Sequence, residues 1–338
     1  MNEINNTFIS VCMPIRNEEA FIEKTINMIL NQDYPSDCYE IIIADGCSDD
    51  GTIDIIKRLQ NQNPQITLKK NKKQRSSAGR NIGFKHGKGD IFLIIDGHCF
   101  IPDNQLFKNI VACFKKSAAS CLGRPQPLSP PGLTLFQKHV ANARFSTLGH
   151  GGDSLIYSDY EGFVSPQSNG AIYTREVIEK VGYVDETFDA CEDVEFNVRV
   201  EKAGFKTYMS PSLTVKYYPR KTIRTLYQQM LRYGHGRMDL LVKHVETFSL
   251  KGLIPIFFVL GLFLNLFVLF ATSELFIIFV LPYFIYLILI TSYSFKLSGY
   301  QLNSSLRTYM KIFFTIHLGL GVGQLKGLIN IILKRNNK

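Results

Sequence analysis

Residues 1–115 alternate between apolar, β-rich runs and helical patterns, and this alternation restricts the possible folds more than any other feature. The predicted strands are residues 8–15, 40–45, 66–69 and 91–96, and the predicted helices between them are 19–31, 52–60 and 76–86. Alternation of this kind, with strands that are apolar throughout, predicts an α/β fold with a mostly parallel sheet flanked by helices on both faces. In such sheets ligands bind at the carboxyl ends of the strands.

Two smaller predictions concern local structure. Asn17 is predicted to cap the first helix, with Glu18 and Glu19 at the positive end of its dipole. Residues 120–170 are rich in Gly, Pro and Ser and are predicted as loops that line a site.

Apolar runs near the C-terminus predict membrane helices after this fold. Residues 253–271 and 275–293 contain no charged residue, and each run is close to the 20 residues needed to cross a bilayer. A third run, 312–333, contains His317 and Lys326 and could span, re-enter or lie at the interface. The predicted organisation is a catalytic domain at 1–220, an amphipathic basic interface region at 221–251 and a membrane region at 252–338 with two or three transmembrane helices. Three glycines in the last run, Gly319, Gly321 and Gly323, predict close helix packing.

The positive charge lies mainly in the C-terminal part of the chain. The net charge is +9, of which residues 215–251 and 252–338 each carry +6, whereas residues 1–214 carry −3. A nucleic-acid-binding protein would more often spread this charge over its folded domain, so the pattern favours anionic lipid headgroups and no nucleic acid. The N-terminal sequence MNEINNTF lacks the features of a secretory signal, so we expect a multi-pass cell-membrane protein with a cytoplasmic catalytic domain. The seven cysteines form no CxxC pair and are expected to be reduced thiols.

Carboxylates stand at or near the ends of several predicted elements. Asp45 ends one strand, and Asp96 and His98 end another. Alternate residues of an extended chain point in the same direction. Asp96 and His98 could therefore hold one cation. An oxygen and a nitrogen ligand suit Mn²⁺, and Mg²⁺ less well. Glu192 and Asp193 precede a helix, where either could act as a general base or could only complement the helix dipole.

Further along, Gln229 and Arg232 are three positions apart on a predicted amphipathic helix. They share a helix face and could bind an anion.

Taken in this order, the segments resemble glycosyltransferase family 2, which has the GT-A fold. The resemblance covers residues 8–240 and is carried by ISVCMPIRNEEAFIEKTINMILNQDYP, IIIADGCSDDGT, SAGRNIGFKHGKGDIFLIIDGH and FDACEDVEFNVRVEKAGF. The DGH and YGHGR segments and the C-terminal apolar runs are most similar to succinoglycan-type exopolysaccharide glycosyltransferases.

The resemblance implies roles for individual residues. The implied donor-binding residues are Pro14, Arg16, Glu18, Asp45, Arg75, Arg80 and Asp96. Asp96 and His98 are implied as the metal site for Mn²⁺ or Mg²⁺, and Asp193 as the catalytic base with Glu192 beside it. Gln229, Arg232 and Tyr233 stand where processive relatives have Gln-x-x-Arg-Trp, and are implied to contact the acceptor or the diphosphate.

The expected activity is that of an inverting, metal-dependent glycosyltransferase. It would move a sugar from a nucleotide-sugar donor, with a UDP-sugar favoured, to a lipid-linked saccharide acceptor in exopolysaccharide, capsule or other cell-surface glycan synthesis. Tyr233 replaces the Trp of processive relatives, which argues against the first alternative, a processive polysaccharide synthase. The second alternative is a non-catalytic, membrane-attached GT-A scaffold. A dinucleotide-binding oxidoreductase is disfavoured because PIRNEE, and not G-x-G-x-x-G, follows the first strand.

Overall fold

The computed structural model describes residues 7–150, 154–268 and 273–336. The chain forms two compact units. The first unit comprises Met1–Pro131 and Ser154–Tyr218, and the second comprises Gly132–Asp153 and Pro219–Lys338. Residues 132–153, which the sequence placed in the catalytic domain, therefore group with the C-terminal helices.

The described strands and helices follow one another along both units. The strands are β1 (Ile9–Ile15), β2 (Tyr39–Asp45), β3 (Ile66–Lys70), β4 (Ile91–Ile94), β5 (Cys99–Phe100), β6 (Cys121–Gly123), β7 (Gly162–Val164), β8 (Gly170–Thr174), β9 (Thr207–Met209) and β10 (Lys216–Tyr217). The helices are α1 (Ile22–Leu30), α2 (Thr52–Gln62), α3 (Ser76–His86), α4 (Leu106–Ser117), α5 (Leu135–Phe145), α6 (Thr147–His150), α7 (Pro166–Asn169), α8 (Arg175–Val181), α9 (Glu192–Lys202), α10 (Ile223–Lys243), α11 (Leu250–Val268), α12 (Ser273–Leu297) and α13 (Ser304–Asn336).

The first unit is built on one large sheet. Its eight strands lie in the order β3-β2-β1-β4-β8-β6-β9-β7. The four N-terminal strands pair in parallel, and β8 joins the edge of β4 in the antiparallel direction. A separate two-stranded ribbon pairs β5 with β10. The four strands predicted from the sequence are confirmed. β1, β2 and β4 are buried almost throughout, as their apolar runs require, whereas β3, which lies at the edge of the sheet and ends in two lysines, is only partly buried.

Helices cover both faces of this sheet. One buried cluster joins the sheet to α1, α2 and α4, and contains Val11 and Leu93. The opposite cluster joins it to α3, α8 and α9, and contains Cys12 and Phe92. Neighbouring residues of one strand thus face different clusters, as the alternation of side chains along a strand requires. All seven cysteines lie in the described part of the chain, and none of them is paired in a disulfide there.

The predicted helix cap at Asn17 is wrong. α1 begins at Ile22, after Phe21, and Asn17 has a left-handed backbone with φ 55°. Asn tolerates this conformation better than most residues. Its side-chain amide donates to the Asp49 carboxylate at 2.8 Å, so Asn17 joins the loops after β1 and β2 instead of capping a helix.

The prediction of loops throughout residues 120–170 is also wrong. This segment contains β6, α5, α6, β7 and α7. Thr134 caps α5: its hydroxyl accepts from the backbone N–H of Gln137 at 3.2 Å, and the Gln137 side chain accepts from the backbone N–H of Thr134 at 3.1 Å. The T-x-x-Q spacing of this capping box was a signal in the sequence.

The second unit consists of helices. Thr222 caps α10, and the predicted apolar positions Leu226 and Met230 are buried, whereas Arg224 and Gln228 are exposed. The predicted close packing of the glycines is confirmed: Gly319 and Gly323 lie against α10, and Gly321 lies against α11.

Two of the described helices, α12 and α13, are long and apolar enough to cross a membrane by length and composition. The predicted span 253–271 is only partly described: α11 ends at Val268, and residues 269–272 lie outside the described parts of the chain.

A test of the fold concerns the contact between α3 and β1. A Cβ atom at Gly83 would lie 2.5 Å from the Cβ and Sγ atoms of Cys12, so Gly83→Ala must push the helix away from the strand. We expect a loss of about 1–3 kcal/mol in the free energy of unfolding. Circular dichroism is a suitable probe, because the chain contains no tryptophan. His86→Ala, at an exposed position of the same helix, is the control, and equal unfolding midpoints for the two variants would contradict the tight contact.

Candidate active site

The carboxyl ends of β1, β2 and β4 lie at one edge of the sheet. β1 pairs in parallel with both neighbours, which places Ile15 opposite Asp45 and Cys12 opposite Ile94. The residues that follow β1 and β4 therefore emerge beside the end of β2. The predicted donor and metal residues at this edge are Pro14, Arg16, Glu18, Asp45, Asp96 and His98.

Asp45 is buried and fixes the turn after β2. Its carboxylate accepts from the Ser48 hydroxyl at 2.5 Å and from the Ser48 backbone N–H at 3.2 Å. The Ser48 hydroxyl oxygen in turn accepts from the backbone N–H of Asn17 at 2.9 Å. The acid predicted to receive a nucleotide base thus also organises the loop around it.

His98 is held between two side chains. Its Nδ1 lies 2.6 Å from the Glu18 carboxylate, and its Nε2 is hydrogen-bonded to the Tyr217 hydroxyl. Tyr217 reaches this position because β10 pairs with β5, with Tyr217 opposite Cys99. Nothing in the sequence marks Tyr217 as part of this site, because its strand pairs with one that lies more than 100 residues earlier in the chain.

The Asp96 carboxylate, unlike the His98 ring, is available to bind a ligand. Asp96 follows β4 and is half-buried, and within the described residues its carboxylate makes no hydrogen bond or ion pair. No cluster of three or more His, Cys, Asp or Glu side chains suitable for a metal occurs in the described part of the chain. A cation that takes one carboxylate from the protein and its other ligands from phosphates and water fits this arrangement.

A nearly buried cation links the two acidic parts of the site. Arg80 on α3 lies with its Nη2 3.3 Å from Glu192 Oε1, and the side chains are 14% and 8% exposed. Burial by itself lowers the pKa of the Arg80 guanidinium, but the charges of Glu192, Asp193 and Asp96 outweigh it and raise that pKa. Arg80 is therefore charged, and it is near enough to all three carboxylates to feel their charge.

The two acids at the start of α9 lie in different surroundings. Burial raises the pKa of the Glu192 carboxyl; Arg80 opposes this, and the charge of Asp193 adds to it. Asp193 is half-buried, and its Oδ1 accepts from the Val194 backbone N–H at 2.9 Å. Asp193 is therefore the more accessible of the pair, and it stands at the positive end of the α9 dipole.

The two other arginines predicted to bind the donor, Arg16 and Arg75, lie at exposed positions. The Nη1 of Arg75 donates to the carbonyls of Glu186 at 2.9 Å and Thr187 at 3.1 Å, so it braces a loop. Pro14 is buried in β1, where a Cβ at Gly79 would come within 2.7 Å of its Cβ.

Sequence reasoning missed Arg124, which is 2% exposed. Its Nη2 donates to the carbonyl of Ile94 at 3.1 Å, two residues before Asp96. Burial lowers the pKa of this guanidinium, and Asp96 is among the charges that oppose the shift. No signal in the Gly- and Pro-rich stretch that begins at 123 marked this arginine as internal.

The three residues predicted to contact the acceptor or the diphosphate lie on α10, in the second unit. Gln229 is buried and Arg232 is exposed. The Gln229 amide donates to the Tyr233 hydroxyl at 3.2 Å, one helical turn away.

Comparison with known proteins identifies the family of this chain. A family model described as Glycosyl transferase family 2 matches residues 10–182, and one described as Glycosyl transferase family group 2 matches residues 134–298. The chain is 32% identical over 236 residues to "Dolichyl N-acetyl-alpha-D-glucosaminyl phosphate 3-beta-D-2,3-diacetamido-2,3-dideoxy-beta-D-glucuronosyltransferase" of Methanococcus voltae, covering 68% of this chain and 73% of that protein. It is 31% identical over 257 residues to "Succinoglycan biosynthesis protein ExoA" of Rhizobium meliloti, covering 75% of this chain and 76% of that protein.

Solved structures share the fold. Mannosyltransferase PcManGT from Pyrobaculum calidifontis, solved in complex with GDP-Man and Mn²⁺, has a TM-score of 0.64 at 18% identity and covers 96% of this chain and 88% of that one. At these identities the likeness concerns the fold, which is GT-A. The family match and the two relatives together establish that the chain belongs to glycosyl transferase family 2.

Proposed function

We propose that this chain is an inverting glycosyltransferase that moves a sugar from a nucleotide-diphospho-sugar to a hydroxyl group of a lipid-linked acceptor in cell-surface glycan synthesis. One observation carries this proposal: the nearly buried Arg80 lies 3.3 Å from Glu192 at the start of α9, next to Asp193, and is also close enough to Asp96 after β4 to be affected by its charge. A donor-side carboxylate and an acceptor-side base must lie close together for a direct transfer. The names of the two relatives, one with a dolichyl phosphate-linked sugar and one in succinoglycan biosynthesis, support a glycan product and a lipid-linked acceptor.

The donor would bind at the edge formed by β1, β2 and β4. Asp45 keeps acceptor capacity for a nucleotide base, because a carboxylate offers about four lone-pair sites and Ser48 uses only part of them. A UDP-sugar is the proposed donor. Arg16, which is exposed after β1, is available to the donor, whereas Arg75 would have to leave its loop carbonyls first.

Asp96 is the proposed protein ligand of a Mn²⁺ or Mg²⁺ ion. When bound, such an ion neutralises charge on the leaving nucleoside diphosphate. We assign His98 a positioning role instead. Its Nδ1 faces the Glu18 carboxylate and so carries hydrogen, while its Nε2 either accepts the Tyr217 hydroxyl hydrogen or is itself protonated. In both cases the imidazole has no free lone pair for a metal.

Asp193 is the proposed general base. As the acceptor oxygen bonds to the anomeric carbon, Asp193 takes the hydroxyl proton and the bond from that carbon to the diphosphate oxygen breaks on the opposite face. One displacement of this kind inverts the anomeric configuration. Glu192, paired with Arg80, fixes the first turn of α9 and thereby the position of Asp193. The roles of Gln229, Arg232 and Tyr233 stay predictions.

The proposed location is the cell membrane, with the first unit in the cytoplasm. The apolar C-terminal helices support attachment to the bilayer that holds a lipid-linked acceptor. Attachment raises the local concentration of such an acceptor at the site.

The base assignment predicts the behaviour of Asp193→Asn. Loss of a positioned base should lower kcat about 10²–10⁴-fold, whereas donor binding measured by calorimetry should be unchanged. The control is Glu201→Gln at an exposed position of the same helix, which should keep full activity. Unchanged turnover in Asp193→Asn would remove this residue from the role.

The metal assignment predicts a difference between Asp96→Asn and His98→Asn. We expect Asp96→Asn to abolish Mn²⁺ binding in the presence of nucleoside diphosphate, and His98→Asn to retain it. Pulsed electron paramagnetic resonance of bound Mn²⁺ should show no directly coordinated ¹⁴N in the unchanged protein. A coordinated nitrogen signal that disappears in His98→Asn would make His98 a ligand and contradict the positioning role.

The Arg80–Glu192 pair predicts coupled stability effects. Arg80→Met leaves the Glu192 carboxylate buried without its cation and should cost about 3 kcal/mol in the free energy of unfolding. Glu192→Gln in the same chain should restore part of this loss. Thermal unfolding of both single variants and the double variant gives the coupling energy, and strict additivity would show that the two side chains do not interact. The exposed pair Lys108–Asp33 serves as the control, for which no coupling is expected.

A further inference from the structure

Lysines divide α13 into pieces that are short relative to a bilayer. Lys311 and Lys326 are both exposed, and the 14 residues between them, 312–325, are the longest charge-free stretch of α13. At 1.5 Å per residue such a stretch is about 21 Å long, against a hydrocarbon core of about 30 Å. Because of these lysines, α13 is less suited to cross a bilayer than its overall apolar composition indicates.

α13 also lies in close contact with α10. A Cβ at Gly323 would come within 2.1 Å of the Leu231 carbonyl oxygen, and one at Gly327 within 2.8 Å of the Met238 Cβ. With Gly319, these residues recur every fourth position and leave no room for side chains between the two backbones. α10 must accordingly lie at the same depth as this part of α13.

The exposed side of α10 is basic. Arg224, Arg232 and Arg237 are all exposed on this helix. If α13 crossed the bilayer, α10 would be drawn into the hydrocarbon beside it, at about 2.5–3.5 kcal/mol for each charged residue near the centre. At the membrane surface the same arginines would face anionic headgroups, which is favourable.

The first half of α13 has polar neighbours as well. His317 Nε2 lies 3.0 Å from the Leu148 carbonyl oxygen, and the Asn142 amide donates to the Tyr309 hydroxyl at 3.0 Å. α5 and α6, which supply Asn142 and Leu148, would also have to enter the hydrocarbon with a spanning α13. These contacts place the first half of α13 beside α5 and α6, while Gly321 and Gln324 contact the start of α11 at Pro255 and Gly252.

The segments that form α11 and α12, in contrast, are apolar over the full length of a bilayer crossing. Residues 252–273 and 275–295 contain no charged side chain over 22 and 21 residues, with Lys251 and Lys296 at their outer ends and Glu274 between them. Each is as long as a bilayer crossing requires. In the described part of these helices Phe257, Phe284 and other large apolar side chains are exposed.

We propose that α11 and α12 cross the bilayer as a hairpin, while α13 lies in the membrane plane on the side of the first unit. This inference deepens the membrane attachment of the proposed function and rests on it. Only four residues separate Tyr218, the end of the first unit, from the start of α10 at Ile223, too few to cross. The two crossings return the chain to the same side, so Lys334 and Arg335 join the basic segment 215–251 on the cytoplasmic face, as the positive-inside rule requires.

The test uses three single-cysteine additions in the full chain: Glu274→Cys, Lys311→Cys and Lys326→Cys. Each is labelled with a membrane-impermeant maleimide in intact cells and in inside-out vesicles, with the unsubstituted protein as the control for its seven native cysteines. We expect Glu274→Cys to react only in intact cells, and Lys311→Cys and Lys326→Cys only in inside-out vesicles.

Three results would overturn the inference. Reaction of Lys311→Cys and Lys326→Cys from opposite sides would show that α13 crosses. Reaction of either only after detergent is added would place it in hydrocarbon, and reaction of Glu274→Cys only in inside-out vesicles would show that the hairpin does not cross. Nucleoside diphosphate release by the same variants is measured in parallel, so that a failure of the proposed activity is seen separately from a failure of the topology.

Discussion

The parallel pairing of β1 with both β2 and β4 is the constraint on which the rest of the first unit depends. It aligns three strand ends at one edge, so that the loops that follow these strands lie next to one another. Asp45 and the Glu18–His98 contact then tie these loops to each other. A slip of one residue in either pairing would move Asp45 or Asp96 to the other face of the sheet and separate the acids.

Buried charge is the second organising element, because it joins parts of the chain that are far apart in sequence. Arg80 on α3 pairs with Glu192 on α9 and feels Asp96 after β4. Such a cation is costly to bury alone and becomes tolerable only when several carboxylates surround it. The same arrangement keeps the acids close together, as the proposed direct transfer from donor to acceptor needs. Arg80 therefore connects stability to the proposed chemistry.

The sequence predicts strongly periodic elements well and contacts between distant segments poorly. The four N-terminal strands and the acids at their ends could be placed because apolar runs and strand-end chemistry are local signals. Asn17 was misassigned because its partner, Asp49, follows another strand, and Tyr217 and Arg124 were missed because nothing near them in sequence shows where they lie. The pairing of His98 with Glu18 could not be foreseen either, and it is the reason why we propose a positioning role for His98, whereas the sequence predicts a metal ligand.

The central claim is that the edge of the sheet with Asp96 and the start of α9 with Asp193 form a catalytic donor site. The most direct measurement is release of nucleoside diphosphate from a panel of UDP- and GDP-sugars by the purified full chain in detergent, with Mn²⁺ or Mg²⁺. The account predicts metal-dependent release from one donor, stimulated by a lipid-linked saccharide. Absence of both release and donor binding across the panel would contradict it and favour a non-catalytic scaffold.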